Sequence, residues 1–96
     1  MSKALLELPA QVLATARIGG RTPIDDVDAA LHNVDRMTDL VRSIGFPTIA
    51  LDAARTALQR LRSGDRPEVE LIIDAMMDLN SPALHNALRK ASRVAA

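Results

Sequence analysis

The residues best placed for chemistry are Asp28, His32, Asp35 and Asp39. Their steps of four, three and four put successive side chains within reach of one another on a helix. Carboxylates with an imidazole are metal donors, and a divalent ion held there would make this a metal-dependent enzyme. Bundle sites of that kind draw ligands from several facing helices, through Glu and a Glu-x-x-His pair, and the chain has no such pattern. The expected reading is therefore a solvated acidic face with arginine nearby, with neither metal nor cofactor. His85 is read the same way.

The remaining inventory for catalysis is thin. There are two His, no Cys and no Tyr. No Gly-rich phosphate loop, H-E-x-x-H, G-x-S-x-G or paired-Glu pattern occurs. The expectation is a protein that is not an enzyme.

A second set, Asn86, Arg89, Lys90 and Arg93, follows the short Asn80-Ser81-Pro82 connection and outlines a helix-turn-helix that would read DNA. The inner positions fit poorly: with Ala75 as the small residue of the first helix, Leu79 falls at the glycine position and His85 at an apolar one. Three cations are few, and an acidic helix precedes them. The alternative is that these cations favour a helix C-terminal half and answer Glu70, Asp74 and Asp78. Whether the two sets are paired or free separates the readings.

The third set is apolar. In 66–79 the stripe Val69, Ile72, Ile73, Met76 and Leu79 serves as a core face, and Leu71 and Met77 lie outside it. With Glu70, Asp74 and Asp78 as rim, these two outline a partner-binding patch, methionine being suited to adaptable contacts.

Helices must position all of these groups. The 96 residues suffice for one modest core, so a single domain over 1–96 is expected. Phe46 is the only aromatic, and the core must be built from Leu, Ile, Val, Met and many Ala, which let helices approach closely. No run alternates with a two-residue period, so no strand is expected.

The longest helix is predicted over about 23–43. Thr22 and Asp25 form a capping box, Pro23 takes the first helical position, and Gly45 supplies the left-handed residue that ends it. Its inward stripe is Ile24, Val27, Ala30, Leu31, Val34, Met37, Val41 and Ile44, so an aspartate at Leu31 should prevent folding. Before it lies a helical segment ending at Gly19-Gly20 and interrupted by Pro9: either 1–8 is a separate turn, which better suits the preference of proline for a first helical position, or one helix is kinked there. Helices over 48–63 and 65–79 follow, the first stopped by Gly64 and the second opened by an Asp65/Glu68 capping box and closed by a left-handed Asn80. The last begins at Pro82, with Leu84, Ala87, Leu88, Ala91 and Val94 inward. The fold class is all-α, a compact bundle of four to five short helices.

Charge cancels, with twelve acidic and twelve basic residues, so no long-range field draws the molecule to nucleic acid or a membrane. Segments alternate in sign, and the stripe Arg55, Gln59 and Arg62 is placed to meet an acidic face, within the bundle or between chains. Cysteine is absent, which fits a reducing compartment, and the interrupted apolar start argues against a signal peptide, so a cytoplasmic protein is expected. Ten arginines among the basic residues and sixteen alanines suggest GC-rich coding, hence a bacterial or phage origin. The function expected is a protein–protein interaction module, a regulatory, adaptor, inhibitor or chaperone-like subunit, binding a protein partner or itself as a homodimer. The alternative is a DNA-binding transcriptional regulator using the C-terminal basic helix.

Overall fold

The computed structural model describes the backbone of residues 2–95 and the side chains of 4–94. Five α-helices follow one another: α1 Ser2–Arg17, α2 Ile24–Ser43, α3 Asp52–Arg62, α4 Val69–Leu79 and α5 Pro82–Ala95, with a 3₁₀ turn at Thr48–Leu51 leading into α3. No strand occurs among the described residues. The all-α bundle expected from the sequence is the observed fold.

Three helices end as glycine dictates. Gly19, Gly45 and Gly64 have φ of 77°, 76° and 83°. At the end of α2 the Gly45 N–H donates to the Arg42 carbonyl at 3.0 Å, and the Phe46 N–H donates to that of Val41 at 3.0 Å. The same pair of bonds closes α1 and α3, so the last carbonyls of each helix are satisfied without side chains. Asn80 is different: its φ of −93° and ψ of 2° are not left-handed. The helix it ends is closed by other means, described below.

Neither capping box forms. Pro23, with ψ of 143°, occupies the N-cap of α2, and its carbonyl accepts from the Asp26 and Val27 N–H groups. The helix thus begins one residue later than predicted, and the Thr22 hydroxyl is left buried without a partner. At α4 the N-cap is Glu68, again with no side-chain bond. Asp65 lies three residues before that N-cap, too early in the chain to cap the first turn, and its N–H donates to the Arg60 carbonyl, closing α3.

Residues 2–8 are not a separate turn. α1 runs unbroken through Pro9. An interior proline removes one helical hydrogen bond and clashes with the preceding turn, at a cost of about 3 kcal/mol. Here its ring is fully buried beside a buried Leu6, and that apolar burial offsets the loss. Residue 1 lies outside the described residues.

The core is aliphatic. Leu13, Val34, Met37, Val41, Leu58, Leu84 and Leu88 are completely buried, and so are Ala30, Ala54, Ala57, Ala75 and Ala91, where the missing side-chain bulk lets helix backbones close on one another. Three inward assignments fail: Ile24, Val69 and Val94 are mostly exposed at helix ends. Leu31, Ile44 and Met76 are half-buried and packed at the edge of the core, and Ile73 is half-buried. Thr38 takes the place that alternation of polar and apolar residues would not assign it: it is buried on α2, its hydroxyl donating to the Val34 carbonyl at 2.8 Å.

The order of packing matters for function. α1 lies against α2 and α4, and α3 lies against α2 and α4. α5 packs on α2 and, less closely, on α1, while it scarcely touches α4, its neighbour in the chain.

Candidate binding groove

The acidic face of α2 is answered from within the chain. Arg62 of α3 donates to Asp28, and Arg55 of α3 donates to the Thr38 hydroxyl at 3.0 Å and forms an ion pair with Asp35 at 3.0 Å. Asp39 takes Arg42 of its own helix at 3.5 Å. The arginine stripe of α3 therefore meets the long helix, and the third member of that stripe, Gln59, is exposed. His32 is exposed beside these pairs. With three of the four side chains already engaged with arginine, a cation at this face would have to displace guanidinium groups. Among the described residues no group of three or more His, Asp or Glu is arranged to hold a metal ion.

His85 has a different task. Its Nε2–H donates to the Leu79 carbonyl at 2.8 Å, satisfying one of the last carbonyls of α4, while the Asn80 N–H closes the helix on the Met76 and Met77 carbonyls. This pins the first turn of α5 to the last turn of α4. Beyond that point the two helices diverge.

The divergence leaves an open groove of about 1030 Å³ between them. α1 forms its floor with Leu6, Ala10, Glu7 and Arg17, α4 one wall with Ile73, Met76, Met77 and Leu79, and α5 the other with His85, Arg89, Ser92 and Arg93. From Leu6 to Arg17 the groove follows about 16 Å of α1, three helical turns. Its surface is mainly apolar, and its charged lining is three arginines against one glutamate.

The expected patch is thus only partly assembled. Met77 is 67% exposed on the wall of the groove. Leu71 is not on that surface: it is half-buried and packed against the core. Six residues on a helix amount to about 240° of rotation, so the two side chains emerge on opposite flanks of α4 with the acidic stripe between them. Glu70 and Asp74 are exposed there, and Asp78 is half-buried on the Leu71 flank. What the sequence reading missed is Ile73, Met76 and the contribution of α1, which no local pattern signals because the groove is made by a packing that does not occur. The signal available was Val69, Ile73 and Met77 at steps of four, an apolar ridge beside the core stripe rather than within it.

Asn86, Arg89, Lys90 and Arg93 are all exposed on one side of α5. Arg89 donates to Asn86 within the helix. Among the described residues no ion pair joins Arg89, Lys90 or Arg93 to Glu70, Asp74 or Asp78: the splay of α4 from α5 holds the two sets apart across the groove.

Family models, curated proteins and solved structures offer no match to this chain. Its function must be argued from the groove.

Burial pushes the Asp78 carboxyl above the usual carboxylate range, and the neighbouring Asp74 adds to the effect. A raised pKa means that the folded state binds the proton more tightly than the unfolded chain does. The ionised group therefore lowers stability at neutral pH, and the loss is relieved as the pH falls through the raised value. Asp78→Asn should raise the melting temperature at pH 7, with the gain shrinking as the pH falls through the carboxylate range. Paired thermal melts of variant and wild type across that range measure it; a gain independent of pH would contradict the titration argument.

Proposed function

We propose that this protein is a non-catalytic interaction module of a bacterial or phage cytoplasm, acting as a regulatory, adaptor, inhibitor or chaperone-like subunit. Its groove takes an amphipathic helix of a protein partner. The observation that carries the reading is the solvent-open apolar groove between α4 and α5, walled by Met76 and Met77 and bordered by Arg17, Arg89 and Arg93. An unfilled channel three turns long is suited to the apolar face of a helix laid along it. Methionine walls adapt to side chains of different shape. The arginines favour a segment whose flanks are acidic, and they steer its approach more than they add to its affinity.

A second reading has its own support, in that Asn86, Arg89, Lys90 and Arg93 share one exposed side free of the acids of α4. That is the arrangement expected for contact with DNA phosphates. Against it, a helix-turn-helix needs its two helices packed together, and here they hardly meet.

A synthetic helical peptide with a leucine ridge and glutamate flanks, fluorescein-labelled, separates the two readings by anisotropy. It should bind, its lysine-flanked counterpart should bind at least tenfold more weakly, and Met77→Glu should weaken binding at least tenfold. Lys90→Ala, which lies outside the groove, should leave the peptide unaffected. Retention of one particular operator in a mobility-shift assay at physiological salt, lost on Lys90→Ala, together with no peptide binding, would replace the first reading by the second. Natural partners follow from co-purification with mass spectrometry, with Met77→Glu as the control.

A further inference from the structure

We infer that in the isolated protein the groove is filled by α4 of a second copy of the same chain, in a two-fold dimer. The inference rests on the groove being a helix-binding site, and it names the helix. α4 has the chemistry that the groove selects: Val69 and Met77 are 56% and 67% exposed, with Ile73 between them at the same four-residue step, and Glu70 and Asp74 run alongside. An apolar ridge with an acidic flank is thus carried on the outside of the very element that walls the groove.

The charges point the same way. Where opposite signs face each other inside the chain they are paired, Asp28 with Arg62 and Asp35 with Arg55. Glu70 and Asp74 on one side, and Arg89 and Arg93 on the other, have no ion pair with each other among the described residues. The two sets are opposite in sign and exposed. A two-fold axis beside α4 sets each acidic flank against the basic wall of the other copy, so every contact is made twice. The balanced net charge leaves no long-range repulsion between copies.

Complementary charge reversal tests this, read by sedimentation velocity at up to about 0.1 mM, a concentration that populates even dimers with dissociation constants of about 10 μM. One variant carries Glu70→Arg and Asp74→Arg, the other Arg89→Glu and Arg93→Glu. All four positions are exposed, so both variants should keep the wild-type circular dichroism. Wild type should sediment as a dimer and each variant alone as a monomer. Their equimolar mixture should be dimeric, because one acid–base contact of the heterodimer is then the native one and the other is restored with its signs exchanged. Met77→Glu, which alters the ridge and neither charge set, should also give a monomer.

A dimer that survives either reversal, or a mixture that stays monomeric, overturns the inference. So does a monomeric wild type, and the glutamate-flanked peptide then separates the two ideas. If the monomer binds the peptide, the groove stands as a partner site and only the second copy is removed. If it binds neither, both are removed.

Discussion

Leu58→Asp should leave the chain without a cooperative thermal transition. Leu58 is completely buried in the middle of α3, among the aliphatic side chains of the core. The substitution removes a core leucine, which alone costs about 2–5 kcal/mol, and introduces a carboxylate that must ionise in an apolar setting or take up a proton, at a cost of several kcal/mol more. A domain of this size has about 5–15 kcal/mol in total. The two losses together consume most or all of it. Leu31→Asp provides the contrast. Leu31 is half-buried at the edge of the core, so an aspartate there can turn toward water. It should lower the melting temperature yet still fold, whereas a fully inward Leu31 would make it as damaging as Leu58→Asp. Circular dichroism melts of the two variants side by side decide the matter; a folded Leu58→Asp would mean that the core is wrongly placed.

The second large effect is expected from Leu13→Ala. Leu13 is completely buried on α1, with Val12 and Ala16 buried near it. Truncation leaves a cavity bounded by helices that already touch through alanine, with little side-chain bulk free to collapse into it. A loss of about 3 kcal/mol is expected, or a fall of about 12–24 °C in the melting temperature for a chain of this length. Gln11→Ala, two residues away on the exposed side of the same helix, should change stability by less than about 0.5 kcal/mol. In urea the Leu13→Ala midpoint should drop with an unchanged slope; an altered slope would place the effect in the unfolded chain or in a second transition. Because Leu6, Ala10 and Arg17 of α1 floor the groove, loss of peptide binding should track unfolding rather than precede it.

The helices and their ends were legible because each ending has a local cause. Glycine at 19, 45 and 64 is the residue that turns a chain left-handed at little cost, and all three do so. The start of α2 was misread because a proline takes over the geometry there, whereas α5 begins at Pro82 as expected. Pro23 holds an extended ψ and becomes the cap itself, so the Thr22 side chain never reaches the first turn. Inward faces were legible in the middles of helices, as at Val34 and Leu88, and failed toward the ends, as at Ile24, Val69 and Val94, where a side chain on the right meridian still has no neighbour above it. The site was least legible. The wheel shows that α4 has more apolar arc than one packing face needs, but whether that arc is covered depends on the angle between α4 and α5. That angle is set by α5 packing on α2 and α1, contacts remote in sequence.

That arrangement has a consequence for how the module can evolve and respond. The two walls of the groove belong to different mechanical parts. The methionine wall and the floor are embedded in the mutually packed α1, α3 and α4, whereas the arginine wall rides on a helix seated mainly on α2 through Leu84, Ala87, Leu88 and Ala91 and tethered at one end by the His85 to Leu79 hydrogen bond. Like a jaw set by its hinge, α5 takes its angle to α4 from what lies beneath it on α2 and from that tether, with little contact to the methionine wall. Changes of side-chain size at Ala87 or Ala91 would then reset the gape of the jaw, and with it the girth of helix admitted, with no change in any residue that touches the guest.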